Sequence, residues 1–137
     1  MKKIVVILLA ALLILGVVAT GCQITRYTKY LAPIDDMKIW ADDSFPPQYF
    51  LYFKSLGPNS SSKFYRYYVS RFGKTIRVVV VHVELNTLHT QMVVNFHRII
   101  PLGSHFVPGE TYTVEVNGRT NTFVAGEVSS GWPFRLR

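Results

Sequence analysis

Two alternating apolar runs on either side of Asn117-Gly118 constrain this chain more than any other feature. Asn-Gly is the preferred pair for a two-residue type I′ hairpin, because both central positions need positive φ. Thr111 to Val116 leads into the turn and Arg119 to Val124 leads out of it. Tyr112, Val114 and Val116 share one face of the incoming strand, and the short loop sets Tyr112 opposite Phe123. A hairpin with one apolar face must have that face covered by further strands.

The rest of the chain supplies them. Met37 to Trp40 reads as a short strand ended by Ala41-Asp42-Asp43 and Pro46-Pro47. Gln48 to Ser55 follows, with Tyr49, Leu51 and Phe53 on one face and Phe50 and Tyr52 on the other. Leu56 to Ser62 is a loop by composition. Lys63 to Arg71, Thr75 to Glu84 and Gln91 to Ile100 are further strands, the first two joined by Phe72-Gly73-Lys74. Val, Ile, Tyr and Phe dominate every run, and no stretch carries a sustained helical repeat. Frequent turns between short strands point to a β-sandwich, with a barrel as the alternative.

In the Thr75 strand, Ile76, Val78 and Val80 should face the core, which puts Val79, Val81 and Val83 on the other side. A sandwich would usually be polar there. Either the tail from Val128 to Arg137, with Trp132 and Phe134, covers that face, or it is a partner surface. Under the first reading, deleting Ser129 to Arg137 costs about 1 kcal/mol or more.

The run Phe106-Val107-Pro108-Gly109-Glu110-Thr111-Tyr112 resembles the Pro-Gly approach to a strand in fibronectin type III and related immunoglobulin-like sandwiches. The resemblance implies a tyrosine corner, with the Tyr112 hydroxyl bonded back to upstream backbone. The expected fold is therefore all-β, an immunoglobulin-like sandwich of about seven strands. A wider resemblance runs from Ala32 to Val124, through Pro46-Pro47-Gln48-Tyr49-Phe50, Tyr67-Tyr68-Val69-Ser70-Arg71, Thr75-Ile76-Arg77-Val78 and Ile100-Pro101-Leu102-Gly103-Ser104. Together these look like a group of uncharacterised bacterial lipoproteins and secreted domains. That group carries a cysteine near Ser61 or Ser62 and another before the Ile100 strand, which implies a disulfide. This chain has neither cysteine, and the resemblance brings no activity with it.

Before the strands, Met1-Lys2-Lys3 precedes an apolar run from Ile4 to Ala19 and then Thr20-Gly21-Cys22. A basic start, an apolar stretch and small residues make a secretory leader. The run falls short of the roughly 20 residues that span a bilayer. Ala19-Thr20-Gly21-Cys22 resembles the lipobox of bacterial lipoproteins, although Ala19 stands where Leu is commoner. The resemblance implies cleavage between Gly21 and Cys22 and acylation of Cys22, the sole cysteine. Two or three acyl chains anchor stably where one is marginal. The expected organisation is a signal peptide over 1–21, a lipid-anchored tether over 22–33 and the sandwich over 34–137. The location would be the cell membrane or outer membrane, facing away from the cytoplasm. Under the enterobacterial sorting rule Gln23 favours the outer membrane. In the tether, Arg26 and Lys29 alternate with Tyr27 and Tyr30, which suits either an anionic membrane surface or a solvated linker. Losing Lys2 and Lys3 lowers the net charge from +7 to +5.

Signals for chemistry are sparse. His82, His89, His97 and His105 are spaced seven or eight residues apart, without the short local spacings of zinc sites. Only cross-strand pairing of His82 with His97 would bring two together, so these read as surface or partly buried histidines without a ligand role. Ser60, Ser61 and Ser62 sit in a polar loop, with no G-x-S-x-G elbow. Asp35-Asp36 and Asp42-Asp43 are adjacent pairs, whose members point to opposite faces of a strand. Asn59-Ser60-Ser61 fits a glycosylation sequon by chance. No enzyme, cofactor, metal, small-molecule substrate or specific nucleic-acid recognition is expected.

The distinctive stretch lies between Ser44 and Val83, which holds Lys54, Lys63, Arg66, Arg71, Lys74 and Arg77 and no acidic residue. Tyr52, Tyr65 and Tyr68 interleave with them. Lys63, Arg66, Arg71 and Arg77 are the candidate polyanion-binding residues, since charge attracts over a Debye length and aromatic faces add stacking. A solvated sheet face protected against edge pairing would look the same. Two readings follow: a non-catalytic envelope module with a protein partner, and a binder of anionic envelope polymer or lipid.

Overall fold

Alternating runs punctuated by turn residues fold here as eight strands in two sheets, in a computed structural model that describes residues 26–126. They are β1 (Tyr27–Leu31), β2 (Ile34–Ala41), β3 (Tyr49–Gly57), β4 (Ser62–Phe72), β5 (Thr75–Leu85), β6 (Val94–Gly103), β7 (Thr111–Val116) and β8 (Arg119–Val124). One sheet has β5 at its hub, and the other runs β2-β3-β6. The expected leader, Cys22 and the tail from Val128 lie outside the described residues.

Two strands share one edge of β5. Along its other edge β5 pairs with β4 from Thr75 to Glu84. On the shared edge, Thr75 to Val78 pair in parallel with β7, whereas Val81 to Leu85 pair antiparallel with β1. Between the two lies a gap in the ladder, and Asn117 fills it. Its main chain takes the left-handed φ of 47° that the hairpin turn requires, followed by Gly118 at 87°. The Val80 amide donates to its Oδ1 at 3.0 Å, and its Nδ2 donates to the carbonyls of Val80 and Ala32 at 2.8 Å each. A turn residue thus completes the hydrogen bonding of the central strand.

The inner faces meet as the alternation requires. Tyr49, Leu51 and Phe53 of β3 bury against Ile76, Val78 and Val80 of β5 and Tyr112, Val114 and Val116 of β7. One end of this core is aromatic. Tyr49, Phe106, Tyr112 and Phe123 pack with ring centroids 4.8 to 5.6 Å apart. Tyr112 pairs with Phe123 across the hairpin, and the Val107 amide donates to the Tyr112 hydroxyl at 2.9 Å, so the tyrosine corner is present. The other end is polar. His82 is fully buried, its Nε2 is 3.0 Å from Ser55 Oγ, and its ring meets Tyr30, Phe64 and Phe96 edge-on. Burial holds the imidazole below its ordinary pKa.

Three expectations shift. Tyr27–Leu31 is a strand, not tether: only Tyr30 among its residues is even partly buried, so its sequence carries no apolar alternation to read. The strand expected over Gln91 to Ile100 lies three residues later; Met92 and Val93 are exposed, and Pro101 is accommodated because β6 is an edge strand. The polar loop after β3 is tightly built. Asn59 is buried, and its Oδ1 accepts from the Ser61 amide and hydroxyl. Gly57 is required beside it, since a Cβ there would lie 2.5 Å from that of Ser62.

Candidate anion-binding face

The outer face of the five-stranded sheet is set by one irregularity in β4. Lys63 pairs with Val83 and Phe64 with His82, but Arg66, not Tyr65, pairs with Val81. This is a β-bulge, in which two residues oppose one and the phase of the strand changes. Before it, odd-numbered residues face out; after it, even-numbered ones do. Lys63, Arg66 and Tyr68 therefore share the outer face with Val83, Val81 and Val79, and Tyr65 turns out beside Arg66.

Strand β1 adds to the same face from across β5. Lys29 pairs with Val83, and Leu31 with Val81. The Lys29 ammonium lies 4.5 Å from the Tyr65 ring centroid and 5.6 Å from that of Tyr27. The Arg66 guanidinium lies 4.6 Å from the Tyr65 ring and 6.0 Å from that of Tyr68. The ammonium of Lys29, hydrogen bonded to the hydroxyl, and the charge of Arg66 hold the Tyr65 phenol below its ordinary pKa. Among the described residues no carboxylate lies within ion-pair distance of Lys29, Lys63 or Arg66.

Two of the four residues expected to bind polyanions stand differently. Arg71 stands apart from the others. The bulge places it opposite Ile76, on the inner side of the sheet. Its guanidinium caps the aromatic end, 4.6 Å from the Phe106 ring and 5.2 Å from that of Tyr112, and donates to the His105 carbonyl at 2.6 Å. Arg77 does face out, but it pairs with Glu115 of β7 at 3.4 Å. Lys29, which sequence reasoning assigned to the tether, takes their place. Its position depends on the long-range pairing of β1 with β5, which leaves no local trace.

The valines of the outer face are less open than alternation suggests. Val83 is buried, and Val79 and Val81 are half-buried. Their cross-strand neighbours are Leu31 and Tyr68, which add apolar cover, and Lys29, Lys63 and Arg66, whose long stems can lie along apolar surface while the charged heads stay in water.

The other candidate residues are spread out. His82 and His97 sit on different sheets, and the His97 ring instead bonds the Tyr52 hydroxyl at 2.8 Å. His89 Nδ1 lies 2.9 Å from the Thr87 carbonyl. Among the described residues no three His, Cys, Asp or Glu side chains are placed to hold a metal ion. Ser60 Oγ accepts from the Thr90 amide, and Ser61 Oγ donates to Asn59, so these serines organise loops. Asp42 accepts from the Ser44 hydroxyl and from the Gln48 and Ser44 amides, which hold its carboxyl below the usual range. Asp35 pairs with Lys54 at 2.8 Å. At the aromatic end of the sandwich, a cavity of about 540 Å³ opens between Asp43, Phe45, Pro46, Tyr49, Phe106 and Pro108.

Residues 55–125 match the family model of the ORF11 beta-sandwich domain. No curated protein and no solved structure matches the chain. The matched stretch runs from the end of β3 to the residue after β8, so it takes in the bulged β4, the hub strand β5 and the Asn-Gly hairpin. With just over half its length covered, the chain belongs to the ORF11 beta-sandwich domain family.

Proposed function

We propose that this is a lipid-anchored, non-catalytic binding module of the cell envelope, whose working surface is the outer face of the five-stranded sheet. The observation that carries the reading is the meeting of Lys29 and Arg66 at the Tyr65 ring, with Lys63 on the same face and, among the described residues, no carboxylate paired to any of them. Cations gathered without counter-charges attract anions, and tyrosine faces add apolar contact to sugar or acyl groups. The ligand class is anionic envelope polymer or lipid.

The address rests on the sequence: an apolar leader over 1–21, cleavage after Gly21 and acylation at Cys22. Tyr27, the first residue of β1, follows Cys22 by five residues. Five extended residues reach about 17 Å at most. An acylated Cys22 would thus hold β1, and the face to which it contributes, close to the headgroups. Anionic lipids attract each basic residue at such a surface by about 1 kcal/mol.

A second reading, a protein partner docked at the loop end, draws on the cavity beside Phe45, whose side chain is wholly exposed. The valine face is a weaker candidate for such a partner, given its burial. A crosslinking pull-down of the tagged protein from intact cells, washed across a salt series, separates the two. Acidic polymer or lipid recovered at low salt and lost at high salt is the expected result. A discrete protein retained at high salt would instead favour the loop end.

A further inference from the structure

We infer that Lys29, Tyr65 and Arg66 form a phosphate-binding site for the headgroups of anionic membrane lipids, with Lys63 at its rim. The inference rests on the proposed envelope reading and names the ligand within it. Three observations carry it. The bulge turns the adjacent residues Tyr65 and Arg66 out on one face, where strict alternation would part them. From the far side of β5, Lys29 reaches the same ring, so two cationic heads lie no more than about 9 Å apart, close to a Debye length in physiological salt.

The third observation is the lack of neutralisation among the described residues. The carboxylates nearest in the sheet are engaged elsewhere: Glu115 with Arg77, and Glu84 with Asn59. Cation–π contacts hold the two heads in place but leave their charge unbalanced. A tetrahedral phosphate is suited to this arrangement. The planar guanidinium presents a fork of donors for two of its oxygens, the ammonium supplies a compact point charge, and the tyrosine hydroxyl can donate a further bond. The depressed phenol reports the same positive potential at the ring.

The membrane is the source argued for, because Lys29 belongs to the strand that follows Cys22 in the chain. A soluble phosphate polymer presents the same chemistry, so the experiment separates them. The full-length protein is held in nanodiscs of phosphatidylcholine alone, of equal parts phosphatidylcholine and phosphatidylglycerol, or of phosphatidylcholine with inorganic polyphosphate in solution. Lysine acylation is then read residue by residue by mass spectrometry. Phosphatidylglycerol should slow acylation of Lys29 about tenfold, and Arg66→Gln should abolish most of that protection.

Protection by polyphosphate without protection by phosphatidylglycerol would overturn the lipid assignment. Protection of Lys63 with Lys29 unchanged would leave the face as the working surface but overturn this site. If neither anion protects any lysine of the face, the site and the broader reading both fail. A thermal melt of Arg66→Gln within a degree or two of the parent confirms that the variant reports on binding and not on folding.

Discussion

The two hairpins of the larger sheet, β7–β8 and β4–β5, are built on opposite plans. In β7–β8 every residue from Thr111 to Val116 has one partner, the turn is two residues long, and the inner positions Tyr112, Val114 and Val116 are all buried. Regular pairing spends that hairpin on the core. In β4–β5 the pairing slips once, at Tyr65, and the slip divides β4 into two lengths of opposite phase. Phe64 before it faces His82; Arg71 after it caps the aromatic end; Tyr65, Arg66 and Tyr68 turn outward. An irregular register yields a surface where a regular one yields only a wall.

The largest effect expected is Tyr112→Ala, which opens a cavity among Tyr49, Phe106 and Phe123 and leaves the Val107 amide without its acceptor. Chemical denaturation should show a loss of about 3–5 kcal/mol. Tyr68→Ala, on the outward side of the bulged hairpin, should cost about 0.5 kcal/mol or less. Similar losses at the two tyrosines would break the comparison.

Asn117→Ala comes next, because that side chain joins the two hairpins at the Val80 gap. It removes three hydrogen bonds and places a Cβ-bearing residue without a compensating side chain at positive φ. A loss of about 2–3 kcal/mol is expected, accompanied by faster amide exchange at Val80.

His82 gives the bulged hairpin a dependence on pH that the other lacks. Its folded pKa is depressed from 6.5 by burial, so the unfolded chain binds a proton more readily than the folded one. The stabilisation from the neutral imidazole is complete above pH 6.5 and is lost as the pH falls from there toward the folded value, with a slope of at most about 1.4 kcal/mol per pH unit. Among the described residues no ionised side chain faces the ring to relieve that loss: its neighbours are Tyr30, Ser55, Phe64 and Phe96. Melts of His82→Phe across the same range should lack this slope, and an unchanged slope would move the titrating group elsewhere. A smaller effect is expected from Arg71→Gln, which uncaps Phe106 and Tyr112 and should cost about 1 kcal/mol by denaturation.

Legibility in the sequence follows the same division. The Asn-Gly turn, the Tyr112–Phe123 pairing, the tyrosine corner and the inward Ile76, Val78 and Val80 are local consequences of turn chemistry and period-two alternation. His82 was within reach of the same rule: it continues the parity of residues 76, 78 and 80, and that parity places it in the core. The composition of β4 and the start of β5 points to Lys63, Arg66, Arg71 and Arg77 but does not say which share a face. Lys63 and Arg71 have the same parity, and only the bulge sends them to opposite sides. Lys29 was hidden for another reason, since β1 gains its partner from a strand more than fifty residues away. The ladder role of Asn117 likewise depends on where β1 and β7 end along β5.

The bulge decides which cations share the outer face, and elution from an immobilised polyphosphate column tests that division most directly. The full-length protein in neutral nanodiscs is compared with a triple variant, Lys29→Gln, Lys63→Gln and Arg66→Gln, and with Arg71→Gln alone. The triple variant should elute at much lower salt than the parent, whereas Arg71→Gln should elute with the parent although it is less stable. Weakening by Arg71→Gln as great as by the triple variant would contradict it, because Arg71 would then belong to the binding face from which the bulge is held to remove it.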